Sequence, residues 1–141
     1  MTTIRLIFAL AAIYKWPLYQ MDVKNALLHG HLDEEIFMRQ PEGYEVKGKD
    51  NLVCHLRKSL YGLKQAPRAW YGRIDEHFKA QGFKKTAADS TSYHYIEGFT
   101  IVLILLYVDD LIITSNNASF ISKVQSKLYE DFDMIDLGEL N

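Results

Sequence analysis

Leu103-Ile104-Leu105-Leu106-Tyr107-Val108-Asp109-Asp110-Leu111-Ile112-Ile113 is two apolar runs, rich in β-branched residues, joined across a pair of adjacent acids. Such runs are strand formers, and Val108–Asp110 between them reads as a tight reversal, so the segment is a core hairpin with two carboxylates at its tip. Burying carboxylates is costly unless they are paired or metal-bound, and two side by side repel. A divalent cation would relieve that repulsion, and hard oxygen donors suit Mg²⁺. An ordinary Asp-Asp turn facing water is the other reading. A third acid, Asp22, ends the apolar strand Leu18–Val23, 87 positions before Asp109. Neighbouring strands of one sheet could bring these acids together, and three converging carboxylates can hold two metals about 3.5–4 Å apart for phosphoryl transfer. His and Cys do not cluster near them, which disfavours zinc. His29 and His31 read as loop residues.

Working outward, strands are predicted at Leu18–Val23, Ile36–Gln40, Leu52–Leu56, Ser92–Ile96, Thr100–Tyr107 and Leu111–Thr114, with Glu97-Gly98 as the turn of a further hairpin. Helices are predicted at Ile4–Tyr14, with Thr3 as N-cap, at Ala66–Gln81 and at Ala118–Asp131, with Asn117 as cap. In the second helix Ala66, Trp70, Ile74 and Phe78 recur every fourth position, which reads Trp70 as core, and Gly82 supplies the stop. The charged, glycine-containing loop Pro41–Asn51 is a surface excursion. Without the segments that would cover it, Ile101–Leu106 would form an exposed hydrophobic edge. Strands and helices intermixed, with antiparallel hairpins, define an α+β domain.

Composition agrees with one globular domain: 141 residues, 48% hydrophobic, 24% charged, formal net charge -2. A single cysteine, Cys54, excludes an internal disulfide. The longest apolar run, Ile101–Val108, is far short of the ~20 residues of a membrane helix. Arg5 and Leu6–Ile13 faintly resemble a signal peptide, but the same residues fit an amphipathic helix, and cytosolic residence is the default. Between Val53 and Lys85 eight basic residues face two acidic ones, while the rest of the chain is acidic. Such a stretch is a solvated face or a phosphate-binding surface.

Tyr107-Val108-Asp109-Asp110 resembles the Y-x-D-D box of reverse transcriptases. Gln20-Met21-Asp22-Val23-Lys24-Asn25-Ala26-Leu27-Leu28-His29-Gly30-His31-Leu32-Asp33-Glu34-Glu35 and Gln40-Pro41-Glu42-Gly43-Tyr44 are similar to the first catalytic block of copia-type LTR retrotransposon polymerases. Lys58-Ser59-Leu60-Tyr61-Gly62-Leu63-Lys64-Gln65-Ala66-Pro67-Arg68-Ala69-Trp70-Tyr71 resembles the signature of that subfamily. Order and spacing agree along essentially the whole chain.

The resemblance implies a polymerase palm-like antiparallel sheet backed by helices, with residues 1–141 as one palm fragment of a retrotransposon polyprotein: fingers partial, thumb and RNase H absent. It implies RNA-directed DNA polymerase activity, transferring a nucleotide from dNTP to the 3′-OH of an RNA or DNA template-primer. Asp22 and Asp109 would be ligands of two Mg²⁺ ions (Mn²⁺ as substitute), and Asp110 a supporting ligand. Val23, Asn25, Ala26, Leu27, Tyr61 and Gly62 would bind the nucleotide. Lys64, Gln65, Pro67, Arg68, Tyr107 and Val108 would meet the nucleic acid. Independently of the resemblance, Gly62 permits close backbone approach and Pro67 suits the first turn of a helix. Leu27 stands where the family usually has a Phe that excludes the ribose 2′-OH, a departure that bears on sugar selectivity. Partners would be the remaining polymerase and RNase H parts, the location cytoplasmic retroelement particles, with no membrane. The competing readings are an inactive retroelement relic that at most binds RNA or protein, and a palm-type nucleotide cyclase, which the Leu60–Tyr71 block disfavours.

Overall fold

The computed structural model describes residues 2–140; Met1 and Asn141, which the reading of the termini touches, lie outside them. Two compact units form, one from residues 1–26 and 74–141, the other from Leu27–Arg73.

The first unit is built on a six-stranded antiparallel sheet of order β4-β5-β6-β7-β1-β8. Its strands are β1 (Leu18–Val23), β4 (Lys84–Thr86), β5 (Asp89–Glu97), β6 (Thr100–Tyr107), β7 (Asp110–Ser115) and β8 (Met134–Glu139). Helices α1 (Thr2–Tyr14) and α3 (Ala118–Asp131) belong to the same unit. Met21, Val23, Ile104, Leu111 and Ile113 on the strands, with Ile121, Val124 and Leu128 on α3, are buried. Burying a side chain of this size contributes about 1.5–3 kcal/mol. Asn117 caps α3 as expected, its side chain accepting from the Phe120 amide at 3.3 Å.

Helix α2 (Ala66–Ala80) starts in the second unit and finishes in the first. Its predicted stripe is buried, with Ala66, Trp70, Ile74 and Phe78 each at most 2% exposed. Gly82 ends it at φ +85°, with Phe83 N–H donating to the Phe78 carbonyl and Gly82 N–H to that of Lys79, a Schellman closure. The second unit otherwise holds most of a 3₁₀ turn (Ala26–His29) and the two-stranded sheet of β2 (His31–Arg39) and β3 (Val53–Lys58). Residues 41–51 between these strands are exposed throughout, as expected of a surface excursion.

Several expectations need correction. Helix α1 begins at Thr2, so Thr3 is not its N-cap; its side chain hydrogen-bonds Asp89 instead. The β5–β6 loop is Gly98-Phe99, not Glu97-Gly98, because Glu97 already pairs with Thr100 and Gly98 takes the positive φ of the first loop position. His31 opens β2, paired with Lys58 across a register shift, and His29 ends the 3₁₀ turn, so neither lies on a loop. Ile101–Leu106 is no edge: β6 sits between β5 and β7, with Val102, Ile104, Leu105 and Leu106 buried. Strands β4 and β8 are additions that the sequence pattern does not predict.

Candidate active site

The acids come together because β1 inserts between β7 and β8. In the β1–β7 ladder Asp22 stands opposite Asp110 and Gln20 opposite Ile112. Directly opposed residues of an antiparallel pair project to the same face, with Cβ atoms about 4.5–5.5 Å apart. Met21, Val23, Leu111 and Ile113 take the alternate face and are buried, which leaves the carboxylates half-buried on the other. The Gln20 side-chain amide donates to Asp110 Oδ1 at 3.1 Å. Gln20 was missed from sequence, although period-two alternation already places it on Asp22's face.

Asp109 occupies the loop position between β6 and β7, where Tyr107 pairs with Asp110. Its carbonyl accepts from the Val23 amide at 2.9 Å, tying the hairpin tip to the end of β1. Val108, beside it, has φ +58°, a left-handed conformation that a β-branched residue seldom adopts. Asn25 at φ +51° turns the chain after β1, a conformation that Asn tolerates better. The Lys24 amide donates to the Asp133 carbonyl at 2.8 Å, and its ammonium lies 3.7 Å from the Asp133 carboxylate. The 107–110 hairpin tip is thus tied to the end of β1, and the residue after β1 to the start of β8. Tyr107 and Val108 are exposed beside it, at 74% and 59%.

Burial pushes the Asp22 carboxyl above the usual carboxylate range, and the charges of Asp109 and then Asp110 push it the same way. Three acids therefore share one field with too little positive charge to balance it. Among the described residues no group of three or more His, Cys, Asp or Glu side chains converges tightly enough to hold an ion as it stands. The donor set is nonetheless all carboxylate oxygen, the chemistry that Mg²⁺ and Mn²⁺ take.

The first unit thus brings together Asp22, Val23, Asp109 and Asp110, with Asn25 exposed and Ala26 buried directly after β1. Tyr107 and Val108 also belong to this unit, and the remaining predicted residues belong to the second. Leu27 is half-buried in the 3₁₀ turn. Tyr61 and Gly62 form an exposed turn, with Gly62 at φ +91°. Lys64, Pro67 and Arg68 are exposed and Gln65 half-buried, with Pro67 in the first turn of α2 as expected.

A sheet of antiparallel strands with helices, carrying opposed acids on β1 and a β6–β7 tip, defines a palm-like α+β unit. The family model described as reverse transcriptase (RNA-dependent DNA polymerase) matches residues 1–141, and the chain belongs to that family. It is 51% identical over 140 residues, 98% of its length, to the retrovirus-related Pol polyprotein from transposon TNT 1-94 of Nicotiana tabacum. It is 40% identical, over 99% of its length, to that from transposon RE1 of Arabidopsis thaliana. With the Ty1-MR1 Gag-Pol polyprotein of Saccharomyces cerevisiae it shares 31% identity over 93% of its length. The chain spans 10% of the length of each plant relative and 7% of the yeast one. No solved structure matches it with significance. No helix among the described residues is long and apolar enough to cross a membrane.

Proposed function

We propose that this chain carries the nucleotidyl-transfer centre of an RNA-directed DNA polymerase. The observation that carries the reading is Asp22 opposite Asp110, with Asp109 in the adjoining loop bonded to Val23, in a chain of the reverse transcriptase family. In the reaction the primer 3′-hydroxyl gives up its proton to solvent as its oxygen forms a bond to the α-phosphorus of a dNTP. The bond from that phosphorus to the bridging oxygen breaks, and pyrophosphate leaves.

Asp22 and Asp109 would hold two Mg²⁺ ions, Mn²⁺ substituting, with Asp110 in support. When bound, the ions supply acidification of the 3′-OH and neutralisation of triphosphate charge. The protein's part is to hold three carboxylates ready for that charge: Gln20 orients Asp110, and the Val23 amide anchors the Asp109 backbone. The backbone at Val23, Asn25 and Ala26 would line the triphosphate and sugar. Leu27, Tyr61 and Gly62 would position the nucleotide, and Lys64, Gln65, Pro67, Arg68, Tyr107 and Val108 the template-primer. The other polymerase and RNase H parts would be its partners, in cytoplasmic retroelement particles.

A second reading is a relic that binds RNA or protein without turnover, favoured by Leu27 at the position where the family usually has a Phe. Mn²⁺ binding to wild type, Asp22→Asn and Asp109→Asn, followed by primer extension, separates the two. The polymerase reading expects tight Mn²⁺ binding lost in both variants and no extension by Asp109→Asn despite an unchanged fold. Wild-type binding no tighter than that of the variants, or equal extension by Asp109→Asn, would remove the catalytic assignment.

A further inference from the structure

The β2–β3 hairpin has a face that the reading above leaves unused. Beyond the register shift in the ladder, residues 36–39 and 53–57 alternate: Ile36, Met38, Cys54 and Leu56 are half-buried, whereas Phe37, Arg39, Val53, His55 and Arg57 are exposed. The ladder sets Phe37 opposite His55 and Arg39 opposite Val53, so these residues share one face, and Arg57, two positions beyond His55, joins them. The Phe37 and His55 rings stack at 4.9 Å between centroids and 30° between planes, with Phe37 still 55% exposed. Arg39 and Arg57 flank this ring pair, each about 7 Å along its strand by the rise per residue. Neither guanidinium has an ion-pair partner among the described residues. Asp33 and Glu35 follow the same alternation on β2 and are exposed as well, so the face carries two arginines beside the ring pair and two acids toward the start of β2.

A cross-strand aromatic pair stabilises a hairpin, but that role needs neither wide exposure nor two unpaired guanidiniums beside it. An open ring flanked by cations is how proteins hold unpaired nucleic acid: bases stack on the ring and phosphates meet the arginines. A folded duplex keeps its bases stacked on one another and has none to offer. A protein partner of complementary chemistry would need acids to meet Arg39 and Arg57 and gains nothing from the stacked geometry. We propose that this face, Phe37 and His55 between Arg39 and Arg57, is a stacking platform for single-stranded RNA. The choice of RNA rests on the polymerase reading, in which the unpaired strand is the RNA template.

The test is fluorescence anisotropy of a labelled 12-nucleotide single-stranded RNA with the whole chain, in EDTA so that the acids take no part. Phe37→Ala should weaken binding about 5- to 150-fold, the range for losing one stacked base. Phe37→Leu, which keeps apolar bulk in the hairpin, should weaken it comparably, while Phe37→Trp retains it. The double variant Arg39→Gln/Arg57→Gln should flatten the salt dependence by about 0.7 for each phosphate that it no longer neutralises. Binding by Phe37→Ala and Phe37→Leu equal to wild type overturns the platform. So does loss of self-association in those variants with RNA affinity intact, which would make the face a protein contact. Mn²⁺ titration of the same variants keeps the two readings apart: the platform variants should bind Mn²⁺ as wild type does. Loss of Mn²⁺ binding only in Asp22→Asn with RNA affinity unchanged speaks to the acids alone.

Discussion

Asp22 and Asp110 stand opposite one another in the β1–β7 ladder, one carboxylate raised by burial and by its neighbours, the other hydrogen-bonded by Gln20. Opposed like charges cost roughly 0.2–1 kcal/mol in an antiparallel pair. An acid whose folded pKa lies above its unfolded value is destabilising once ionised: stability is highest below the ordinary value and falls as pH rises through the raised one. Asp22→Asn should therefore raise stability at pH 7 by about 0.5 kcal/mol, read by urea unfolding. The same substitution should abolish the stabilisation by Mn²⁺ that the polymerase reading expects of wild type, about 2.7 kcal/mol at a hundredfold excess over Kd. A variant less stable than wild type in EDTA would show that the acids do not repel.

Val108 holds φ +58° at the hairpin tip between Tyr107 and Asp109. A non-glycine residue in such a conformation stores about 1–3 kcal/mol. Val108→Gly should gain about 1 kcal/mol after glycine's own entropy cost is subtracted, whereas Val108→Ile should gain nothing. Equal unfolding midpoints for wild type and Val108→Gly would show that the tip is unstrained.

Gly30 is buried where an added Cβ would lie 2.6 Å from the Trp70 nitrogen and 2.7 Å from the Ala69 carbonyl carbon. Its own carbonyl accepts from the Ser59 amide at 3.0 Å, so it cannot move away freely. Gly30→Ala should cost about 1–3 kcal/mol or more, as overpacking does. Gly72→Ala, exposed inside α2 with nothing within 4 Å of the added Cβ, is the control and should instead gain about 0.5–1 kcal/mol from helix propensity. Hydrogen exchange should localise the loss to residues 27–73.

Asp75 on α2 carries a different electrostatic burden. Burial pushes its carboxyl up, but hydrogen bonds from Lys79, Lys85 and Tyr93 outweigh that and hold it at about 2. The Lys85 ammonium lies 2.8 Å from it, that of Lys79 2.7 Å, and the Tyr93 hydroxyl donates at 2.9 Å. A lowered acid contributes stability that is complete above its unfolded pKa and lost as pH falls through the folded one. The loss should run from about pH 4 down to about pH 2 and amount to about 2 kcal/mol. Asp75→Asn should remove that acid limb, as seen by circular dichroism against pH.

The sequence disclosed whatever repeated at a regular period or stood out in charge. The stripe Ala66, Trp70, Ile74, Phe78 needed only the 3.6-residue turn, and Leu103–Ile113 needed only alternation around two acids. Met134–Glu139 carries no strand signal because Asp136 and Gly138 are poor strand formers; β8 exists because β1 offers it a ladder, with Val23 pairing Met134. Three-residue β4 is likewise held by β5 and carries no pattern of its own. Thr3 resembles a cap because caps are inferred from residue type, whereas its hydroxyl is occupied by an acid 86 positions away. In the site, the three acids were legible, while the Asp22–Asp110 register and the Gln20 bond depend on which strands adjoin, which no local pattern encodes.

The order β7-β1-β8 also has a consequence for the growing chain. Both neighbours of β1 are synthesised long after it: Asp22 meets Asp110 and Met134 pairs with Val23 only once the distant strands leave the ribosome. At about 5–20 residues per second, β1 waits on the order of 4–18 s with its apolar face unpaired. Formation of the site is therefore a late event in translation, and a ribosome stalled before residue 110 would leave a nascent chain with Asp22 but without the strands that flank it, open to chaperones and to its own copies.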